Sequence, residues 1–219
     1  MKTIAKIYTD FPTKFGIPRQ SGLVEELKGR IVFEPEFCSP DAIRGLDGFS
    51  HIWLLWKFNT PAESRSLTVR PPKLGGNVRM GVFATRSPFR PNNIGLSCVR
   101  LEKIDGAEMI VSGADLMDET EIVDIKPYVP YADCHPDAVG GFSKDGSERL
   151  KVDIPERLLT LLPENKRSAL IKVLELDPRP QYQNDTERLY GFGFAGYEIR
   201  FTVDNGTLFV KEIEKFTGC

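Results

Sequence analysis

Seven basic residues, Arg65, Arg70, Lys73, Arg79, Arg86, Arg90 and Arg100, fall between Glu63 and Glu102 with no acidic residue among them. Such a run does one kind of chemistry well, because planar guanidinium forks grip phosphate and carboxylate oxygens two at a time. The chain has 29 Lys+Arg against 31 Asp+Glu, a net charge of −2. Setting the seven aside leaves 22 against 31, so positive charge is concentrated in one stretch of an otherwise acidic protein. The centre of that stretch reads GGNVRMGVFATRSPFRPNNIGLS from Gly75 to Ser97. It sets arginines among Gly, Pro, Asn, Ser and Thr, the residues of ordered loops that present backbone groups. The pattern suits a polyanionic partner; the plainer alternative is a solvated basic face.

Strand signals dominate the elements that must position these loops. Thr3–Thr9 alternates apolar and polar residues, and Ile31–Phe33 is a short β-prone run. His51–Phe58 is continuous and aromatic, as expected of a strand buried on both faces, with Trp53 and Trp56 in the core. Gly81–Ala84, Ile94–Ile104, Met109–Ala114 and Ile122–Ile125 follow, separated by Gly, Pro, Asp and Asn. No long amphipathic helix intervenes before about residue 155. Short β-runs without crossover helices predict a mainly β chain built on an antiparallel sheet or barrel.

The character changes after the polar stretch Gly140–Gly146. Pro155–Leu162 and Pro163–Leu176 read as helices, each opened by a proline at its first position. Tyr197–Val203 and Thr207–Ile213 alternate around Asn205-Gly206, a strong hairpin signal. The expected organisation is a β-barrel domain over 1–145 and a small α+β appendage over 155–219.

Four scattered cysteines without a C-x-x-C, and only His51 and His135, argue against structural zinc and for a reduced, cytoplasmic protein with unpaired thiols. No apolar run approaches membrane-spanning length, and the opening MKTIAKIYTDF does not read as a signal peptide. Gly191-Phe-Gly-Phe-Ala-Gly196 fits G-x-G-x-x-G, but a strand rather than a helix is expected to follow it. That rules against a dinucleotide fingerprint and leaves glycines at the start of a strand.

Arg79-Met-Gly-Val-Phe-Ala-Thr-Arg86-Ser-Pro-Phe-Arg90-Pro-Asn-Asn-Ile-Gly-Leu-Ser97 resembles the signature of the TrmO family, also called TsaA-like or YaeB-like. Five further pieces agree in order: Lys14-Phe-Gly-Ile-Pro-Arg-Gln20, Arg44-Gly-Leu-Asp-Gly-Phe-Ser-His-Ile-Trp53, Val69-Arg-Pro-Pro72, Asp124-Ile-Lys-Pro-Tyr128 and Asp177-Pro-Arg-Pro180. Members are S-adenosylmethionine-dependent tRNA methyltransferases on a β-barrel, and the resemblance implies the same here. It implies methyl transfer to N6 of N6-threonylcarbamoyladenosine, just 3′ of the anticodon in a threonine tRNA, by a homodimer with sites near the subunit interface.

Carried over residue by residue, the resemblance places the cofactor against Pro18, Arg19, Gln20, Asn59, Thr60, Arg86, Leu96, Asp118, Glu119, Thr120 and Glu121. Two positions depart from the family pattern. Asp118-Glu-Thr-Glu121 stands where members usually have D-G-T-P, and Asn93 where they usually have proline. Lys73 and Arg90, flanked by prolines, are the phosphate-contact candidates. Lys126 and Tyr128 offer a third cation and a platform for a splayed base. Asp118, Glu121 and Asp124 are carboxylates able to accept the N6 proton, and the sequence does not choose among them. A non-catalytic RNA-binding β-barrel is the competing reading.

Overall fold

Short strands with one apolar face can hide those faces and remove every exposed edge by closing on themselves. The computed structural model describes residues 1–58, 66–106, 108–143, 149–179 and 185–216. In chain order it places β1 (Ala5–Tyr8), β2 (Lys28–Phe33), β3 (His51–Lys57), β4 (Thr68–Val69), β5 (Met80–Gly81), β6 (Ile94–Asp105), β7 (Glu108–Ser112) and β8 (Thr120–Pro127). Six of these close into an antiparallel barrel in the order β1-β2-β7-β6-β3-β8, β8 returning to β1. β4 and β5 form a separate two-stranded ribbon within the basic stretch. The barrel core holds Ile7, Ile31, Ile52, Leu54, Val99, Met109, Val111 and Ile122, the inward positions of the period-two pattern.

Three local expectations change. β3 buries only one face: Ile52 and Leu54 point in, while His51, Trp53, Leu55 and Lys57 are half-exposed on the outer face. Trp53 is therefore not core; its indole donates to Asp133 at 3.0 Å and its ring packs on Tyr128. Trp56 points inward and packs against the barrel core. Gly81–Ala84 is not a continuous strand. Only Met80–Gly81 pairs, and Val82–Ala84 is a single tight turn whose first carbonyl accepts from the Thr85 amide and hydroxyl.

After α1 (Pro130–Asp133) come β9 (Lys151–Asp153), α2 (Glu156–Leu159), α3 (Glu164–Glu175), β10 (Tyr190–Phe194), β11 (Tyr197–Asp204) and β12 (Thr207–Lys215). Pro155 and Pro163 sit one residue before their helices, as N-caps. The second sheet runs β10-β11-β12-β9, with β9 parallel to β12. Asn205 (φ 44) and Gly206 (φ 74) make the expected hairpin turn, both left-handed as a type I′ turn requires. The G-x-G-x-x-G glycines lie in β10 and its turn into β11, a β-hairpin with no helix behind it.

This second core reaches back into the N-terminal region. Phe11, Val24 and Leu27 are buried with Leu170, Val173, Leu174, Phe192 and Phe201, and Phe15 and Ile17 pack against them. Lys166 of α3 bridges Asp10 at 2.6 Å, and Lys172 pairs with Glu26. Gly16 (φ 92) passes so close to Phe192 that a Cβ would lie 2.3 Å from its ring. The segment that carries Pro18–Gln20 is thus anchored on the C-terminal sheet and helix.

Candidate functional site

Strand β7 stops at Ser112 because Gly113 (φ 76) turns the chain off the barrel. The first half of β6, Ile94 to Val99, is left without a strand partner on that side. The loop after Gly16 fills this gap: the Gly22 amide donates to Gly113 O at 2.9 Å, and the Cys98 amide donates to the Ser21 hydroxyl at 3.1 Å. A side-chain oxygen thereby takes the place of a ladder carbonyl. This docking brings Gln20 to Arg86, 66 residues away, and the Arg86 guanidinium donates to Gln20 Oε1. Leu96, on the outer face of β6, keeps 51% of its surface exposed.

Pro18 and Arg19 face another way. They line a small cavity with Leu23, Val173, Leu176, Asp177 and Pro178. Arg19 donates to the Arg179 carbonyl at 3.3 Å, and Arg179 grips Asp177 with two bonds of 2.8 Å. The Asp-Pro-Arg segment therefore braces the loop that carries Arg19. Burial lowers the Arg19 guanidinium from its ordinary value, partly offset by Asp177.

Asp118, Glu119 and Glu121 line an open cleft of about 430 Å³ with Lys6, Pro12 and Met117. Asp118 is a fastener as well as a wall. Its carboxylate accepts the Thr9 amide at 2.9 Å, and its own amide donates to Phe11 O. Thr120 is buried, its hydroxyl donating to Met117 O at 2.7 Å. Glu121 takes Lys57 at 2.8 Å and Thr3 at 3.0 Å. Those two donors hold its carboxyl below the usual glutamate range. Asp124 pairs with Lys126 at 2.8 Å and accepts the Ile125 amide. All three carboxylates considered as proton acceptors thus already have partners. Asn59 and Thr60 lie outside the described residues.

Both departures from the family pattern fall where the backbone is left-handed: Glu119 at φ 60 and Asn93 at φ 46. Glycine would hold the first without strain. Proline cannot hold the second, and it would remove the Asn93 amide that donates to Arg90 O. The loop at 93 therefore has a course that a proline there would forbid.

The RNA candidates scatter differently from expectation. Arg90 is half-buried, and one guanidinium nitrogen donates to Thr85 O at 2.9 Å and Ser87 O at 3.4 Å. That is the bracing of a loop by its own arginine. Lys73 is exposed on the turn Pro72–Leu74. Lys126 is exposed beside Asp124. Tyr128 forms an outer aromatic face with His51 and Trp53, ring centroids 6.1 and 5.7 Å away. Arg70 and Arg79, exposed just past the Val69–Met80 pair at one end of the β4–β5 ribbon, stood in the basic run but not among the expected phosphate contacts. Asp115 was missed too. It is a mostly buried carboxyl that accepts the Ser97 hydroxyl at 2.5 Å, and no motif in the sequence distinguishes it from its acidic neighbours.

The tRNA-methyltransferase O N-terminal domain model matches residues 6–134, and the TrmO C-terminal domain model matches 147–216. The chain belongs to the TrmO family. It is 37% identical over 96% of its length, and 96% of the relative, to the tRNA (adenine(37)-N6)-methyltransferase of Escherichia coli K12. It is 42% identical to a putative S-adenosylmethionine-dependent methyltransferase, RcsF, of Pseudomonas aeruginosa, covering 86% of this chain and 85% of that one. A crystal structure of TrmO superposes with a TM-score of 0.81 at 32% identity, covering 97% of both chains. Among the described residues no helix is long and apolar enough to cross a membrane, and no group of His, Cys, Asp and Glu is arranged to hold a metal ion.

Proposed function

We propose that this TrmO-family chain is an S-adenosylmethionine-dependent tRNA methyltransferase that methylates N6 of adenine 37, next to the anticodon. The observation that carries the reading is the Arg86–Gln20 contact, in which two motifs far apart in sequence meet where the loop after Gly16 docks on the edge of β6. The residues present suit the cofactor's chemistry. A guanidinium and an amide fit its carboxylate, an exposed leucine fits its adenine ring, and the carboxylates of Asp118 and Glu119 fit its ammonium. Pro18, Arg19, Gln20, Asn59, Thr60, Arg86, Leu96 and the Asp118–Glu121 turn are the proposed holders. When bound, the cofactor supplies an activated methyl group on a sulfonium. The chain's own task is to align the acceptor nitrogen, exclude water and let the N6 proton leave.

We read the modified base as N6-threonylcarbamoyladenosine in a threonine tRNA, splayed from its stack as chemistry on a base requires. Lys73, Arg90 and Lys126 are proposed to face phosphates, and Tyr128 a base. We read the protein as a cytoplasmic homodimer with sites near the subunit interface. Exposed Leu67, Val78, Phe83, Phe89 and Leu96, all from one segment, support a covered face there. The described cysteines Cys38, Cys98 and Cys134 are free thiols, in keeping with a reducing compartment. The parts 1–145 and 155–219 are proposed as barrel and appendage, the second bracing the loop of the first.

Mass spectrometry of nucleosides from threonine tRNA, incubated with protein and S-adenosylmethionine, tests the reading. The expected result is a methyl group added to N6-threonylcarbamoyladenosine. If tRNA binds but no methyl is transferred, and the cofactor leaves the melting temperature unmoved, the chain is a non-catalytic RNA-binding barrel instead.

A further inference from the structure

A carboxyl outside every motif lies where these segments meet. Asp115 follows the turn at Gly113, between Ala114 and Leu116, both buried in the barrel core. That placement brings it to the edge that β7 has left open beside β6. The Ser97 hydroxyl donates to its Oδ1 at 2.5 Å, and the next residue of β6, Cys98, gives its amide to the Ser21 hydroxyl at 3.1 Å. Ser97 is itself fully buried and accepts the Trp56 indole N–H at 3.0 Å. Ser21 adjoins Gln20, and Ser97 adjoins Leu96. Among the described residues, the charged group that bears on the carboxyl is Arg86, the same arginine that bonds Gln20.

Burial works against the charge of this residue. Burial is the largest influence on it and pushes the carboxyl above the ordinary aspartate range; the hydrogen bonds and Arg86 offset that only in part. A carboxyl raised on folding leaves the folded chain holding more protons than the unfolded one between the two pKa values. Stability then falls as pH rises through that window. The charged carboxylate is thus favoured less in the folded chain than in the unfolded one, and the geometry around it points to what it holds.

We propose that Asp115 is a positioning residue for the cofactor: its carboxylate fixes the Ser97 hydroxyl beside the Cys98 amide that docks Ser21, and its charge favours the Arg86 guanidinium in its place against Gln20. The loop of Pro18–Gln20, the arginine and Leu96 then keep one arrangement. This rests on the reading that Arg86 and Gln20 hold S-adenosylmethionine. Because Asp115 acts through those groups, removing its charge weakens cofactor binding and leaves the rate at saturating cofactor nearly unchanged.

The test is calorimetric titration of S-adenosylmethionine into the full-length protein, Asp115→Asn and Arg86→Ala, from about pH 5 to about pH 8, with thermal unfolding of each. Asp115→Asn is expected to melt no lower than the parent at the upper pH, yet to bind the cofactor about tenfold more weakly. Affinity of the parent should fall as pH drops through the raised pKa, where the carboxyl becomes neutral; the variant should lack that fall. The cofactor's own amino group titrates alike in both proteins, so the difference between the profiles reports Asp115. Unchanged affinity in Asp115→Asn alongside weakened Arg86→Ala overturns the inference alone. Unchanged affinity in Arg86→Ala overturns the placement of the site, and the inference with it. Parallel pH profiles with a lowered melting temperature mark a merely structural carboxyl and also overturn it. If Asp115→Asn does not fold, Ser97→Ala removes one donor to the carboxylate and should still weaken binding several-fold; parental affinity there counts against the proposal.

Discussion

Glu119 holds a left-handed backbone at φ 60, exposed at the rim of the cleft it shares with Asp118 and Glu121. A non-glycine residue there carries about 1–2 kcal/mol of strain, while a glycine adds only about 0.4–1 kcal/mol of unfolded-chain entropy. Glu119→Gly should therefore stabilise the protein by about 0.5–1 kcal/mol, read as a melting temperature higher by about 1–4 °C. A fall on this substitution would mean that the glutamate makes a contact worth more than its strain. Arg90 is the opposite case, a side chain whose bonds hold a loop. Arg90→Ala should destabilise by about 1–2 kcal/mol, since charge-assisted bonds to two carbonyls are lost at a half-buried site. If Arg90 also meets phosphate, the salt slope of tRNA binding drops by about 0.7–0.9 in the same variant. A lower melting temperature with an unmoved slope leaves bracing as its whole role.

At the scale of elements, β6 and β3 show why the signature contains a glycine. The Trp56 ring lies across Gly95, where a Cβ would come within 2.3 Å of it. Gly95→Ala must push the indole aside and break its bond to Ser97, at a cost of about 1–3 kcal/mol from overpacking and a similar loss from the buried hydroxyl network. Urea unfolding should show that loss. Cofactor affinity should fall with it, since Ser97 is tied to Asp115; intact affinity in a destabilised variant would separate Trp56 from the site. The β4–β5 ribbon makes a different prediction. Arg70 and Arg79 are exposed at one end of it, so replacing both by alanine should leave the melting temperature unchanged. The same double change should reduce the slope of log tRNA affinity against log salt by about 1.4–1.8. An unaltered slope would move the RNA path off the ribbon.

For the whole molecule, the C-terminal part and the cofactor loop are one packing problem. Phe11, Val24 and Leu27 are buried only because α3 and the second sheet cover them, and the Lys166–Asp10 bridge closes the same seam. A fragment ending at 145 leaves those side chains in water and frees the loop that carries Pro18–Gln20. It should fold less stably than the full chain and lose S-adenosylmethionine binding even where circular dichroism still shows the barrel. Full affinity in the fragment would show that the loop holds its course without the C-terminal sheet.

The barrel was legible in the residues because its information is local. A period-two pattern over four to twelve residues marks which face of each strand turns inward, and the Asn205–Gly206 turn carries its own left-handed signature. The basic stretch and the ordered motifs were legible for the same reason, as composition and wording along the chain. Which residues face each other across the fold was not. Trp53 and Trp56 read alike in the sequence, yet one lies outside the barrel and the other inside. His51–Lys57 alternates faces, and continuous hydrophobicity conceals that alternation. Arg86 and Arg90 were assigned to cofactor and phosphate, but their partners were not legible: one bonds a glutamine 66 residues away and the other its own loop. Asp115, unlike Asp118 and Asp124, lies in no motif, and only the end of β7 puts it against the buried Ser97 hydroxyl. Hydrogen-bond partners and desolvation belong to the closed three-dimensional arrangement, and no window along the chain contains them.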